Sequence, residues 1–119
     1  MILSIGPCVP QVGQYYKLHH DYLGGTQKLL AGPRALSVLL YLSDVEEGGE
    51  TIFPELKLSV EPRAGRLVLW PDTLDAEPLV KDQRTRHAAA PVIRGEKYAA
   101  NLWYYHRSLA QARRLGCMG

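Results

Sequence analysis

Apolar residues along this chain come in short runs, many alternating with polar ones, and glycine or proline separates each run from the next. Alternation with a period of two marks a strand with one buried face, whereas a helix repeats about every 3.6 residues. The pattern predicts strands at Tyr15 to Asp21, Ala35 to Leu42, Glu50 to Phe53, Lys57 to Val60, Arg66 to Trp70, Arg86 to Val92 and Tyr98 to Tyr105. Turn signals fall between them at Gly24-Gly25, Gly32-Pro33, Gly48-Gly49, Pro62 with Gly65, and Arg94-Gly95. Ala35 to Leu42 is nearly all apolar and Arg66 to Trp70 reads similarly, so both strands are expected to be covered on two faces. Ser108 to Leu115 reads as a short C-terminal helix that Gly116 could end.

Many short strands without long helices argue for an all-β dominated fold. The central apolar pair favours a double-stranded β-helix, the jelly roll, which has about eight strands. Seven are predicted, and Met1 to Val9 is the only stretch left to supply another.

A chain of 119 residues with 46% hydrophobic content makes one domain with a buried core. The net charge of +2 is too small to imply nucleic acid, and Arg107, Arg113 and Arg114 read as a solvated basic tail. No apolar stretch approaches the roughly 18 residues of a membrane span. The opening MILSIG lacks the basic flank of a signal peptide. Cys8 and Cys117 belong to no spaced framework, so a disulfide between them and the redox compartment both stay open.

The candidate chemistry lies in His19-His20-Asp21, a distant His87, and Lys97 beyond it. Side chains at i and i+2 of a strand share a face, so His19 and Asp21 project together and His20 projects away. Two imidazoles and one carboxylate on one side of a metal leave the other side open, the ligand set of non-haem Fe(II) oxygenases. Each piece alone has a plainer reading. A His-x-Asp pair is commonly a hydrogen-bonded couple, a lone histidine a satisfied polar residue, and a strand-end lysine a solvated one.

Several separate motifs appear in one order. Gln14-x-Tyr16-x-x-His19-x-Asp21 comes first, then Tyr41-Leu42-Ser43-Asp44-Val45 and Gly48-Gly49-Glu50-Thr51-x-Phe53-Pro54. Pro62-Arg63-Ala64-Gly65 leads into Leu67-Val68-Leu69-Trp70. Arg86-His87-Ala88-Ala89-x-Pro91-Val92, Gly95-x-Lys97 and Asn101-x-Trp103 follow. Together they resemble the prolyl 4-hydroxylase family of 2-oxoglutarate and Fe(II)-dependent dioxygenases, from about Gly13 to Trp103.

The resemblance implies His19, Asp21 and His87 as iron ligands and Lys97 as the partner of the distal carboxylate of 2-oxoglutarate. It implies Thr51, Trp103 and Tyr41 around the same co-substrate, and Tyr16 and Arg34 against a peptide. The implied reaction hydroxylates peptidyl proline with Fe(II), 2-oxoglutarate, dioxygen and ascorbate, and it releases succinate and carbon dioxide. Other readings are a dioxygenase with a different substrate, or a truncated, inactive jelly-roll module that binds metal; a cupin-type site would leave Lys97 and Thr51 without a role. The implied organisation is an atypical segment 1–12, a dioxygenase domain 13–107 and a tail 108–119. The implied partner is a proline-containing peptide or protein, and the implied compartment is the endoplasmic reticulum.

The chain departs from the family at Pro10, where a co-substrate tyrosine is common, and at Tyr105, often a histidine near the substrate. Ala90 replaces a cysteine of secreted relatives. The family's longer N-terminal region lies outside this sequence. Its first strand and helices are therefore expected to be missing, which would leave the strand carrying Lys97 with an open edge.

Overall fold

The computed structural model describes residues 2–4, 13, 15–23 and 31–107. Ten strands occur among them: β1 Ile2–Ser4, β2 Tyr16–His19, β3 Arg34–Tyr41, β4 Glu47–Gly48, β5 Thr51–Phe53, β6 Leu58–Val60, β7 Leu67–Pro71, β8 His87–Ala89, β9 Val92–Arg94 and β10 Ala99–Tyr105. One antiparallel sheet runs β1-β10-β3-β7, a second runs β2-β8-β5-β6, and β4 pairs with β9. Leu39, Tyr41, Trp70 and Ala99 of the first sheet meet Phe53 of the second in a shared core, with Val60 and Val68 packed against it. This is the jelly roll that the alternation predicts.

Several expectations are corrected. Ile2–Ser4 does form a strand, and it pairs with Ser4 opposite Asn101 and Ile2 opposite Trp103, so the edge of β10 is covered there. Lys97 precedes β10 rather than lying on it. The strand predicted over Arg86 to Val92 divides into β8 and β9, because Pro91 lacks the N–H that would continue the ladder. Leu67 and Leu69 on β7 are each 56% exposed, so the outer face of that strand is not covered by the described residues. Ser108 to Leu115, Cys8, Pro10 and Cys117 lie outside the described residues.

Two local devices set up the site. Gly48 has φ +81°, and a Cβ there would sit 2.2 Å from the Pro91 carbonyl oxygen, so only glycine lets β4 approach so closely. Gly49 N–H then donates to that same carbonyl at 2.9 Å. The second device is a single 3₁₀ turn, Gln83–Thr85, whose capping residue Asp82 accepts from Arg84 N–H at 2.9 Å. It delivers the chain into β8 with the Thr85 carbonyl aimed at the first histidine of that strand.

Candidate active site

His19 closes β2 and His87 opens β8, and the two are direct partners in the register of these antiparallel strands. Their ring centroids lie 4.3 Å apart. Asp21 stands beyond the end of β2 in a bend, so strand alternation alone does not bring it beside His19 as the sequence predicts. Tyr22 just after it anchors the bend by donating to the Leu79 carbonyl at 2.9 Å. The outcome is convergence: one ligand atom from each of His19, Asp21 and His87 lies within 4.8 Å of the others.

Both imidazoles are oriented the same way. His19 Nδ1 lies 2.8 Å from the Lys17 carbonyl and His87 Nδ1 lies 2.9 Å from the Thr85 carbonyl, each two residues upstream. A carbonyl only accepts, so each Nδ1 carries the proton, and each neutral ring presents its Nε2 lone pair. Those atoms face Asp21 Oδ1 at 3.4 Å from His19 and 3.8 Å from His87. Three acceptors aimed at one point are satisfied by a shared cation. Two nitrogens and one carboxylate oxygen, with both Nδ1 atoms fixed by carbonyls, fit a non-haem ferrous ion.

The electrostatics agree with that set. Burial of Asp21 would raise its pKa, but bonds from His19, Trp103 and Ser37 hold the carboxyl well below the usual range. Trp103 Nε1 donates to Asp21 Oδ2 at 3.1 Å. Burial lowers the pKa of His87 and keeps it neutral. Burial also works to lower that of His19, yet the Asp21 bond, the Lys17 carbonyl and the Asp21 charge together raise it. A cation at the triad therefore competes with a proton on His19 first.

A cavity of about 610 Å³ opens from this triad, within the size range of small-molecule sites. Lys97, Thr51, Trp103, Tyr16 and Arg34 all line it. Lys97 is buried, and its Nζ donates to the Gly49 carbonyl at 2.6 Å. Tyr41 is fully buried behind the wall, and its hydroxyl lies 2.6 Å from Thr51 Oγ1. At the mouth, the Arg34 guanidinium lies 3.9 Å from the centre of the Trp103 ring and donates to the Asp21 carbonyl at 3.3 Å. Arg34 Nε also donates to the Tyr105 hydroxyl at 3.4 Å, across a register shift at Tyr104/Tyr105. Tyr16 is 63% exposed, and its ring meets His19 edge-on at 4.3 Å.

Sequence reasoning gave no site role to Leu39, Trp70, Ala99 and Asn101, which also line the cavity. The signal was present, since Ala99, Asn101 and Trp103 are spaced two apart on β10. His20 borders the cavity too, but it is not among the three converging ligands.

The family profile of the 2OG-Fe(II) oxygenase superfamily matches residues 6–105. The chain belongs to that superfamily. The chemistry of the superfamily uses Fe(II), 2-oxoglutarate and dioxygen, and the donor set described above is suited to that metal. Prolyl 4-hydroxylase subunit alpha-1 of Homo sapiens is 38% identical over 101 residues, covering 81% of this chain and 18% of its own length. Probable prolyl 4-hydroxylase 7 of Arabidopsis thaliana is 34% identical over 128 residues, covering 89% of this chain and 40% of its own. The viral collagen prolyl hydroxylase of Paramecium Bursaria Chlorella virus-1, solved as a 2OG complex, superposes with a TM-score of 0.74 at 31% identity. That superposition covers 84% of this oxygenase chain and 56% of the viral one. The oxygenase chain thus spans less than half the length of these curated relatives. Among its described residues, no helix is long and apolar enough to cross a membrane.

Proposed function

We propose that residues 13–107 form the catalytic domain of a 2-oxoglutarate- and Fe(II)-dependent dioxygenase that hydroxylates peptidyl proline. The co-products are succinate and carbon dioxide, and ascorbate serves as the reductant. The observation that carries this reading is the convergence of His19, Asp21 and His87 at one end of a cavity that Lys97 also lines.

In this reading His19 Nε2, an Asp21 carboxylate oxygen and His87 Nε2 hold the ferrous ion. When bound, the ion supplies, with dioxygen and 2-oxoglutarate, the oxidation of an unactivated C–H bond that no side chain can perform. Two neutral imidazoles and one carboxylate leave the metal site with a net positive charge, so an acidic keto acid is drawn to it. Lys97 pairs with the distal carboxylate of that acid, and its burial strengthens the pair by excluding water. Thr51 lines the same cavity, and its hydroxyl is paired with that of Tyr41 at 2.6 Å. Leu39, Trp70 and Ala99 form the apolar part of the lining, which keeps competing water from the reacting centre.

The peptide contacts are assigned to the mouth. Tyr16 offers an exposed ring, and Arg34, whose guanidinium carbon lies 3.9 Å from the centre of the Trp103 ring, offers donors for a peptide carbonyl. The relatives named prolyl 4-hydroxylase support proline as the acceptor residue.

Supplied with Fe(II), ascorbate and 2-oxoglutarate labelled at C1, the chain is expected to release labelled carbon dioxide, and more when a proline-rich peptide is added. Release that ignores proline peptides would assign a different substrate. A folded chain that neither binds iron nor releases carbon dioxide would be an inactive module.

A further inference from the structure

The buried lysine of the cavity has a partner supplied by the chain itself. Lys97 is 5% exposed, and its Nζ donates to the Gly49 carbonyl at 2.6 Å. The same ammonium lies over the Tyr41 ring, 5.5 Å from its centre. The backbone that offers this carbonyl is held on both sides. Gly49 N–H donates to the Pro91 carbonyl at 2.9 Å, and the Glu50 carbonyl accepts from Ala90 N–H at 2.8 Å. Gly48, one residue earlier, is in register with Val92 where β4 pairs with β9. The acceptor that receives Lys97 is therefore fixed by strand pairing.

Position 49 has little room for a side chain. Its φ is +76°, in the left-handed region that favours glycine. A Cβ there would lie 3.3 Å from Val92 Cγ2, 3.4 Å from Lys97 Cδ and 3.6 Å from Pro62 Cγ. Val92 and Pro62 are both buried and packed. The lysine stem, with four rotatable bonds, is the neighbour that would give way.

A buried ammonium without a partner is costly. A co-substrate arrives and leaves, whereas a backbone carbonyl stays. An ammonium has three donors, so a bond to Gly49 is compatible with one to a carboxylate. Holding the charge in place beforehand also lowers the ordering cost of binding.

We propose that Gly49 is the positioning residue for Lys97: its carbonyl holds the ammonium in one pose, and its missing Cβ leaves room for the stem. Together they give the site its preference for a keto acid with a distal carboxylate. Gly49 is not among the residues lining the cavity and acts through Lys97. The inference rests on reading Lys97 as the partner of the co-substrate's distal carboxylate, and the experiment separates the two.

The full 119-residue chain is loaded with Co(II), so that keto-acid binding is read by calorimetry without turnover. The two probes are 2-oxoglutarate and 2-oxopentanoate, which has a methyl group in place of the distal carboxylate. The unaltered chain should prefer 2-oxoglutarate about 30-fold or more, and Lys97→Met should abolish that preference. If Lys97→Met keeps it, the co-substrate reading of Lys97 fails and the proposal with it. If Lys97→Met loses it, the glycine is decided by its own variants. Gly49→Ala and Gly49→Asn should each cut the preference about tenfold, the scale of one hydrogen bond to a charged group. Both should bind Co(II) and 2-oxopentanoate as the unaltered chain does. Asparagine tolerates positive φ better than alanine, so it separates displacement of the stem from backbone strain. Either folded variant keeping the full preference overturns the proposal. Equal weakening toward both acids also overturns it, since that is the mark of a merely structural glycine. Should neither variant fold, NMR of the unaltered chain decides through the coupling between Lys97 15Nζ and the Gly49 carbonyl 13C. A resolved coupling, lost in Lys97→Met, upholds the proposal, and its absence overturns it.

Discussion

His19 and His87 stand directly opposite each other where β2 pairs with β8, and each ring is turned by a carbonyl two residues upstream in its own strand. The two metal-facing nitrogens are thus set by backbone geometry before any ion arrives. His20, one residue along, is not among the converging ligands.

His87→Ala should therefore abolish both iron binding and 2-oxoglutarate decarboxylation, while His20→Ala should retain most of each. Metal titration with a decarboxylation assay checks this, and equal losses in the two variants would refute the ligand assignment.

Lys97 lies buried beside Gly49, and in the proposed complex it faces an anion out of water. Truncating one member of a buried charge pair costs about 2–5 kcal/mol, so Lys97→Met should raise the KM for 2-oxoglutarate on the order of 30-fold or more. Metal affinity should be unaltered. A change confined to kcat, with KM intact, would remove Lys97 from co-substrate binding.

Arg34 combines a guanidinium placed over the Trp103 ring with donors to the Asp21 carbonyl and the Tyr105 hydroxyl. Lysine keeps the charge but loses the flat fork, so Arg34→Lys should raise the peptide KM about tenfold while leaving that for 2-oxoglutarate unchanged. Steady-state kinetics with each substrate varied in turn distinguishes the two. An effect on 2-oxoglutarate alone would move Arg34 out of the peptide site.

Asp72 ties stability to pH because its carboxyl is buried just past the end of β7. Its folded pKa of about 7 lies above the ordinary 3.8, so between those values the folded chain keeps a proton that the unfolded chain releases. The stabilisation this brings is complete below about pH 4 and is lost as pH rises through 7. Urea denaturation of chelator-treated protein should show the unaltered chain losing stability relative to Asp72→Asn across that window. Above about pH 8 the difference should be flat, the titration being complete by then. A difference constant from pH 4 to 8 would mean that Asp72 is ionised throughout.

Much of this was legible in the sequence because strands write themselves with a period of two. Ala99, Asn101 and Trp103 face the cavity for that reason, and the order of His19, Asp21, His87 and Lys97 pointed to one site before its geometry was known. Asp21 was harder, since it reaches the triad from a bend that alternation does not describe. Pro91 split a strand that its apolar neighbours made look continuous. Asp72 was invisible: an aspartate after Trp70-Pro71 reads as a surface turn, and its partner Ser37 stands 35 positions earlier. Only the folding of β7 against β3 puts the two together.

Strand β2 occupies the rim of its sheet, next to β8 alone in the strand order, and three of its four residues are exposed. Two of the three proposed ligands sit at its end. A ferrous ion there acts as a rivet through the rim, clamping a thinly held ribbon to its neighbour. Iron loading would thus tighten the hold of β2 on β8, while the orientation of the two imidazoles is already set by their own backbone carbonyls.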